Sequence, residues 1–425
     1  MFKYKKLTVI SLIFILIISI TLLVSRIDVV ANVPKYKNKM WNDFFKTFMK
    51  LPDPIKSSLM IFSGKRSFSN LFNDYNVKFL PETQYISIDF TRKKIKFEKE
   101  SRYTFYLETF EDKLIIVTKT GNFYKSNLSE LTNNKKDLND TKFQINNLFE
   151  KKGKIFDTLV VNNEIFVTKT SNYDDCKRLE IYFAEIEDVL NFKVFKSFEE
   201  CISINNGAGR IQKYKFNGSE GVLITTNDSD NDVPGSKAQD ETSIFGKTVF
   251  IDIKTKDHEI ISKGHRNAQG LFVKDEIILS TEHGPKGGDE INKIFYNKNY
   301  GWPLASYGEP YKSKNLKYKK SHQKNNFEEP LHVFLPSIGI SELILLPNTF
   351  NKKWTNNALI TSLNGRSIYR AQFQDDKYDK ILYLEKIYIG ERIRDIKYLK
   401  KLNLIILALE RTGDVGIIKN INVSN

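Results

Sequence analysis

Residues 271–281 read LFVKDEIILST: apolar residues, a short polar turn and a second apolar run that ends in hydroxyl side chains. This pattern predicts a β-hairpin. The unit occurs six times, and its copies end at Thr118, Thr168, Thr226, Thr281, Thr361 and Ala408, at intervals of 50, 58, 55, 80 and 47 residues. Repeats of about 50 residues that contain only strands are typical of propeller blades. The sequence therefore predicts an all-β, six-bladed β-propeller over residues 77–425, with a sandwich of short strands as the alternative.

The composition is that of a globular protein. Of 425 residues, 40% are hydrophobic and 13% are aromatic, which is too many for an intrinsically disordered chain. The 2 cysteines are too few for a small scaffold held together by disulfides. The 66 Lys and Arg residues outnumber the 51 Asp and Glu residues and give a net charge of +15. No basic block is interleaved with aromatic residues, so we do not expect nucleic-acid binding.

An uncharged segment near the N-terminus predicts a membrane anchor. Residues 7–24, LTVISLIFILIISITLLV, are long enough to span a bilayer as a helix, and three preceding lysines favour a cytoplasmic N-terminus. A cleaved signal peptide is the alternative. We expect a basic cytoplasmic tail at 1–6, a single transmembrane helix at 7–24, a short helical linker at 25–76 and a periplasmic or extracellular propeller.

The two cysteines flank a second predicted hairpin. Cys176 precedes the strand-like run RLEIYFAEI and Cys201 follows the run FKVFKSFEE, with a polar turn around Glu187 and Asp188 between them. If the runs pair, the two sulfur atoms lie opposite each other at the open end of the hairpin. In an oxidising compartment this arrangement favours a disulfide over two free thiols.

Four polar segments adjoin the repeats, at residues 205–210, 264–271, 282–290 and 391–395. Loops that enter the innermost strands of a propeller gather on one face around the axis, so these segments hold the candidate functional residues. The segment 282–290, EHGPKGGDE, combines sharply turning backbone with carboxylates, which suits an oxygen-liganded cation such as calcium. The arginines of the segments at 264–271 and 391–395 could together bind a ligand that carries several carboxylates.

The same segments carry a resemblance to a known family. GHRNAQGL at 264–271, EHGPKGGDEIN at 282–292, NYGWPLASYGEPY at 299–311, LPSIGIS at 335–341 and RIRDIK at 392–397 resemble the glucose/sorbosone dehydrogenase family. The similarity extends from about residue 200 to residue 415. It implies a six-bladed propeller that binds pyrroloquinoline quinone (PQQ) and calcium and oxidises a sugar at its anomeric carbon. The cofactor supplies the redox chemistry and the protein positions it.

The resemblance also implies roles for individual residues. The carbonyl groups of Gly284 and Pro285 would hold the calcium ion that polarises the quinone. The residues that contact the quinone or its carboxylates would be Arg266, Asn267, Arg392 and Arg394, and Arg266 would also serve catalysis. A further, structural calcium site would use Glu290 and the backbone of Tyr300.

The chain departs from the family pattern at two positions. Asn206 stands where the family has the histidine that acts as general base, and an amide cannot accept a proton at neutral pH. Asn364 stands where the family has a lysine near the cofactor. Neighbouring groups could compensate for these two departures. Arg366, two residues beyond Asn364, could supply the missing positive charge. Asp228, Asp230 or Asp232 could serve as a carboxylate base in place of the histidine. His258 and His283 are the histidines to inspect near the Asn206 position.

Two functions are compatible with these residues. The first is a membrane-anchored quinoprotein dehydrogenase that oxidises a sugar or a related alcohol. The second is a catalytically silent propeller that binds a glycan or an envelope partner. The retained arginines and the EHGPKGGDE segment favour the first function, whereas Asn206 and Asn364 favour the second. The sequence does not indicate the substrate, the electron acceptor or the oligomeric state.

Overall fold

The computed structural model describes residues 81, 83–97, 103–148, 150–174, 176–202, 209–228, 237–311 and 317–421. The tail, transmembrane helix and helical linker predicted over residues 1–76 lie outside this part of the chain, as does Asn206. Among the residues that the structure describes, no helix combines the length and apolar character needed to cross a bilayer. The propeller belongs to a compact unit that begins at Lys78.

Apart from four short 3-10 helices, the regular secondary structure of the described residues consists of β-strands. Strands β1 to β6 are Ser87–Lys94, Phe105–Phe110, Lys113–Thr118, Phe123–Asn127, Thr141–Lys142 and Gln144–Asn146. Strands β7 to β11 are Gly153–Val161, Glu164–Asn172, Lys177–Glu185, Val189–Asn191 and Lys193–Ile202. Strands β12 to β15 are Ile211–Phe216, Ser219–Thr225, Lys247–Asp252 and His258–Lys263.

The second half of the chain continues in the same way. Strands β16 to β20 are Ala268–Lys274, Ile277–Glu282, Asp289–Lys293, Lys298–Asn299 and His332–Phe334. Strands β21 to β24 are Ile340–Leu345, Asn357–Ser362, Ser367–Phe373 and Ile381–Tyr388, and strands β25 to β27 are Ile393–Leu399, Leu404–Leu409 and Asp414–Ile421. Short 3-10 helices are Leu128–Leu131, Lys237–Gln239, Gln323–Asn325 and Lys352–Trp354.

In the described residues 25 of these 27 strands form six blades, which confirms the predicted all-β, six-bladed propeller; β6 and β10 pair in a separate two-stranded sheet. The blades, in chain order and with the innermost strand first, are β2–β5, β7–β8–β9–β11, β12–β15 with β19, β16–β17–β18–β20, β21–β24 and β25–β26–β27–β1. Each innermost strand contacts the innermost strands of the two neighbouring blades, so β2, β7, β12, β16, β21 and β25 close a ring. The N-terminal strand β1 pairs antiparallel with β27 along its full length and so joins the two ends of the ring.

Each predicted hairpin is the pair of an innermost strand and the next strand of one blade. Strand β26, LIILAL, is buried at every residue because its two faces pack against the neighbouring blades. The hydrophobic clusters accordingly lie between blades: one joins the fifth and sixth blades through residues such as Leu359 and Leu407. Asn217 and Gly218 have φ angles of 48° and 85° and form the two-residue turn between β12 and β13, a turn type that favours this Asn-Gly pair.

The two cysteines form a disulfide in the second blade. Cys176 precedes β9 and Cys201 lies near the end of β11, and the two strands pair antiparallel. The Cα atoms of the cysteines are 5.5 Å apart, within the usual range for a disulfide. The bond therefore joins the third and fourth strands of the blade at the open end of their hairpin.

Removing this disulfide is expected to destabilise the propeller. The bond closes a loop with a sequence separation of 25 residues, and a loop of that length contributes about 3.5 kcal/mol in the chain-entropy model. We expect Cys176→Ser with Cys201→Ser to lower the free energy of unfolding by about this amount, measured by urea denaturation. The reduced wild-type protein is the control and should show the same loss. A double variant as stable as the oxidised wild type would contradict the prediction.

Candidate functional site

The segments at 264–271, 282–290 and 391–395 meet at one end of the propeller axis. The innermost strands β16 and β25 begin there, at Ala268 and Ile393, and β17 ends there, at Glu282. Antiparallel pairing of β16 with β17 therefore places the loops at 264–267 and 283–288 side by side. Glycine is required at position 264 for this close packing. A Cβ atom there would lie 2.2 Å from Asn299 Oδ1 and 2.6 Å from Gly301 N, and the φ angle of +77° also favours glycine.

Bulges at the starts of two innermost strands direct polar side chains into this region. The register of β16 against β17 shifts between Ala268 and Gly270, so Gln269 is an extra residue in β16. The register of β25 against β26 shifts in the same way between Ile393 and Asp395, and Arg394 is the extra residue. A bulge bends the strand and changes the direction of a side chain, and bulges are frequent near active sites.

Arg266 lies against the loop that carries the expected calcium ligands. Its Nη1 atom donates hydrogen bonds to the carbonyl oxygens of His283 at 3.2 Å and Gly284 at 2.9 Å. Its guanidinium carbon is 5.1 Å from the centre of the Trp302 ring. The side chain is buried, and among the described residues its Nε atom has no hydrogen-bond partner. Arg266 is thus fixed on one side and retains a donor for another group.

Arg392 and Arg394 share one carboxylate, that of Glu410. Arg394 donates to Glu410 Oε1 from Nε at 2.9 Å and from Nη2 at 2.7 Å, and Arg392 Nε donates to Oε2 at 3.0 Å. Thr104 Oγ1 also donates to Oε1, at 2.7 Å. Burial opposes ionisation of Glu410, but Arg394, the Thr104 hydrogen bond and Arg392 together lower its pKa to about 2.

A series of side-chain hydrogen bonds links Arg394 on the sixth blade to Asn267 at the start of the fourth blade. Arg394 Nη1 donates to Gln269 Oε1 at 2.9 Å. Gln269 Nε2 donates in turn to Asn267 Oδ1 at 2.8 Å. The backbone carbonyl of Asn267 accepts a hydrogen bond from the backbone N–H of His283 at 3.0 Å. Arg394, Asn267 and the 283–285 loop therefore belong to one connected group, although the chain separates them by more than 100 residues.

The His283 ring lies close to both site arginines. Burial lowers the pKa of His283 against the opposing charge of Asp289, and Arg394 and Arg266 lower it further. The imidazole is therefore neutral at pH 7. Among the described residues, its Nε2 atom is buried without a hydrogen-bond partner. Buried polar atoms without partners are rare in proteins, so Arg266 Nε and His283 Nε2 fit a place that receives polar atoms of a ligand.

The carbonyl groups expected to bind calcium accept hydrogen bonds from this chain. Gly284 O accepts from Arg266, and Pro285 O accepts from the hydroxyl of Tyr311 at 2.8 Å. A carbonyl oxygen has two lone pairs, so each retains one for a cation. Among the described residues, no cluster of three or more His, Cys, Asp or Glu side chains could hold a metal ion. A calcium ion at this loop would therefore depend on backbone oxygens and on the ligand itself.

Glu290 and Tyr300, expected at a structural calcium site, are both buried. Burial and the neighbouring carboxylate of Glu282 raise the pKa of Glu290 well above its usual value. The Nε2 atom of His322 is 3.9 Å from Glu290 Oε1. Burial lowers the pKa of His322, which therefore brings no charge to the carboxylate at neutral pH. A buried carboxylate in this setting fits a cation as its partner.

Other candidates from the sequence lie outside this connected group. Asn364 is exposed in the loop after β22, and its backbone N–H donates to Ile338 O. Arg366, in the same loop, accepts backbone hydrogen bonds from Ile389 and Gly390 through its carbonyl group. His258 starts β15, at the end of the third blade opposite the site loops.

One of the three suggested carboxylate bases can be placed. Asp228 is buried, and its Oδ2 atom accepts a hydrogen bond from the backbone N–H of Ala238 at 2.8 Å. Its own backbone N–H donates to Arg266 O, so Asp228 supports the segment that carries Arg266. Asp230 and Asp232 lie outside the described residues, as does Asn206.

Sequence reasoning did not name Gln269, Glu410 or the structural part played by Arg210. Glu410 follows the sixth repeat strand in ALERTG, where a carboxylate normally marks an exposed turn. Gln269 was quoted within GHRNAQGL but without a role. A signal for both was their position at the site ends of β16 and β26; Arg392 and Arg394 lie at the same end, at the start of β25.

Comparisons with known proteins agree with the fold and the site segments. The family model described as "Glucose / Sorbosone dehydrogenase" matches residues 162–417, more than half of the chain. An aldose sugar dehydrogenase of Escherichia coli (strain K12) is 28% identical over 249 residues, which cover 54% of this chain and 65% of that protein. Quinoprotein glucose dehydrogenase B of Acinetobacter calcoaceticus is 31% identical over 115 residues, which cover 27% of this chain and 22% of that protein. The chain thus spans less than two thirds of each of these relatives.

A solved structure shows the same architecture. The apo-form of the soluble aldose sugar dehydrogenase from Escherichia coli superposes with a TM-score of 0.63, covering 79% of this chain and 100% of that chain. The sequence identity in this comparison is 19%. The similarity therefore concerns the fold.

Proposed function

This chain belongs to the glucose/sorbosone dehydrogenase family, and on that basis we propose that it is a quinoprotein dehydrogenase that oxidises an aldose sugar or a related alcohol. One observation carries the proposal: Arg266, Asn267, Arg394 and the 283–285 loop, from two blades, form one connected group at the end of the axis. Buried guanidinium and imidazole atoms there lack partners among the described residues, as a ligand site requires.

The residues fit PQQ as the ligand. Guanidinium groups bind carboxylates through paired, charge-assisted hydrogen bonds, and PQQ carries several carboxylates. Arg266, Arg392 and Arg394 would bind these groups, and Asn267 would orient the quinone. When bound, PQQ supplies a two-electron acceptor for a hydride from the anomeric carbon. The relative from Acinetobacter calcoaceticus is named a quinoprotein, which supports this choice.

Calcium is proposed at two places. The carbonyl groups of Gly284 and Pro285 would hold one ion beside the quinone, with Arg266 and Tyr311 on their other lone pairs. Glu290 and the backbone of Tyr300 would hold a second ion, which would compensate the buried carboxylate. Both donor sets consist of oxygen atoms, which are the ligands that calcium prefers.

The remaining part of the proposal concerns location. Residues 7–24 would anchor the chain in a membrane with residues 1–6 in the cytoplasm, so that the propeller lies on the outer side. The Cys176–Cys201 disulfide supports an oxidising compartment.

Removing Arg266 is expected to weaken quinone binding. Arg266→Ala deletes a charged donor at the connected group, and a hydrogen bond to a charged group contributes about 1.5–3 kcal/mol, or roughly 10- to 100-fold in affinity. Titration of the purified chain with PQQ and calcium, followed by aldose-dependent dye reduction, measures binding and turnover separately. Lys286→Ala is the control, since Lys286 is an exposed cation in the same loop. Equal affinities for the two variants would contradict the proposed site.

The departure at Asn206 supports a second candidate function, a silent propeller that binds a glycan or an envelope partner. The same titration distinguishes the two functions. Quinone binding with turnover supports the dehydrogenase. Quinone binding without turnover for any aldose tested supports a protein that has kept the site and lost the reaction.

A further inference from the structure

One buried arginine, Arg210, lies at the start of the third blade. It contacts the innermost strand of each of the other five blades. Its side chain is 3% exposed and lies at the axis. The guanidinium group is within 3.2 Å of carboxylate oxygens from three blades, which belong to Asp157, Glu342 and Asp395. It also donates to the carbonyl oxygens of Gln269 at 2.6 Å and Arg394 at 3.0 Å.

The remaining innermost strand, β2, is reached through an aromatic ring. The guanidinium carbon of Arg210 is 5.3 Å from the centre of the Tyr106 ring, which belongs to β2. Arg210 itself directly precedes β12. One side chain therefore connects all six innermost strands of the described propeller.

The three carboxylates extend this connection to neighbouring blades. Asp157 on β7 accepts the backbone N–H of Ile211 on β12 at 3.1 Å. Asp395 on β25 accepts the N–H of Leu107 on β2 at 2.8 Å. Glu342 on β21 accepts a hydrogen bond from the N–H of Leu271 on β16 at 2.9 Å. Each carboxylate thus joins two adjacent blades, and Arg210 joins the three resulting pairs.

The charges in this cluster are not balanced by Arg210 alone. Three carboxylates surround one guanidinium group within a buried region. Burial raises the pKa of Glu342 to about 8, although Arg210 opposes the shift, and Asp395 and Asp157 add to it. Glu342 therefore keeps its proton at neutral pH, which reduces the negative charge around Arg210. The Arg210 side chain is held by four hydrogen bonds, to Asp157, to Asp395 and to the carbonyl oxygens of Gln269 and Arg394, and by the close contact to Glu342.

Two of these contacts lead directly to the functional site. Arg210 holds the carbonyl groups of Gln269 and Arg394, and the side chains of these two residues bond each other at 2.9 Å. The fourth and sixth blades, which carry them, are not neighbours, because the fifth blade lies between them. Their spacing at the site is therefore fixed by the Gln269–Arg394 contact and by Arg210.

We propose that Arg210 is a positioning residue, which sets the distance between Arg394 on the sixth blade and Asn267 on the fourth blade. This inference rests on the proposed function where it concerns PQQ. A lysine could not replace Arg210, because an ammonium group presents its donors from one nitrogen, whereas the planar guanidinium reaches acceptors in several directions. Loss of Arg210 would let Arg394 on the sixth blade and Asn267 on the fourth blade move independently of each other.

The test compares Arg210→Lys with Arg370→Lys. Arg370 is a matched control because it is also fully buried and bonded to a carboxylate, Glu385 at 2.6 Å, but lies on β23 away from the connected group. Two measurements are made on each purified protein. The first is the Nε–Hε NMR signal of Arg394, assigned with Arg394→Lys, and the second is the affinity for PQQ in calcium buffer.

We expect Arg210→Lys to shift or broaden the Arg394 signal and to weaken PQQ binding at least tenfold relative to Arg370→Lys. An unchanged Arg394 signal with an affinity within twofold of the control would overturn the inference. If wild-type protein binds no PQQ, the proposed function fails, and the Arg394 signal alone still decides the positioning role. Should Arg210→Lys fail to fold, Asp157→Asn, which removes one partner charge, is measured in the same way with a smaller expected change.

Discussion

Replacing Asn206 by histidine is expected to raise kcat for aldose oxidation by about 10² to 10⁴-fold. Oxidation at the anomeric carbon requires a group that accepts the hydroxyl proton, and a positioned general base contributes a factor of this size. An amide cannot act as that base, whereas a neutral imidazole can. Asn206 precedes Arg210 by four residues, and Arg210 lies at the axis beneath the site. The affinity for PQQ should change little, because the arginine contacts are unaltered.

The pH dependence of kcat shows whether the introduced imidazole acts as the base in Asn206→His. A histidine base is active when deprotonated, so kcat of Asn206→His should rise with pH around the imidazole pKa, which is about 6.5 in the absence of perturbation. Asn205→His is the matched control, since it adds the same imidazole one residue away. The prediction is wrong if Asn206→His binds PQQ like the wild type and shows neither a higher kcat nor this inflection.

The sequence was sufficient for the architecture because each blade repeats the same local pattern. The hairpins that end at Thr118 and Thr281, for example, are the pairs β2–β3 and β16–β17. Each hairpin can bury its apolar faces only against other hairpins, so six copies in one chain predict a closed ring. Ring closure by β1 could not be predicted, since the residues of β1, SIDFTRKK, lack the repeated pattern.

The candidate site could be predicted only in part. Arg266 and Gly284 lie in loops on either side of one predicted hairpin, so their contact follows from the local pattern. The partners of Arg394 depend on how distant blades are arranged. Gln269 is 125 residues away along the chain and reaches Arg394 through bulges that no short sequence pattern announces. The axial role of Arg210 likewise required the positions of all six innermost strands.

Glu410→Gln is expected to destabilise the propeller by about 3–5 kcal/mol at neutral pH. The Glu410 side chain is fully buried and is the carboxylate that Arg392 and Arg394 share. Breaking a buried ion pair by removing one partner costs this much because the remaining charge is left uncompensated. The measurement is the free energy of unfolding in urea. Glu309→Gln is the control, because the exposed Lys320–Glu309 pair contributes little.

The acid dependence of stability gives this prediction a second, independent test. Glu410 has a folded-state pKa of about 2, below the usual value of 4.5. A carboxyl group with a lowered pKa stabilises the fold at pH values above 4.5, and this contribution is lost as the pH falls from 4.5 towards 2. The interval corresponds to about 3 kcal/mol, since one pKa unit equals 1.36 kcal/mol. Glutamine does not titrate. The free energy of unfolding of Glu410→Gln should therefore fall by about 3 kcal/mol less between pH 4.5 and pH 2 than that of Glu309→Gln. If the unfolding free energies of the two variants fall in parallel below pH 4.5, Glu410 does not hold the two arginines as an ionised carboxylate, and the arginine pair at the site must be neutralised in another way.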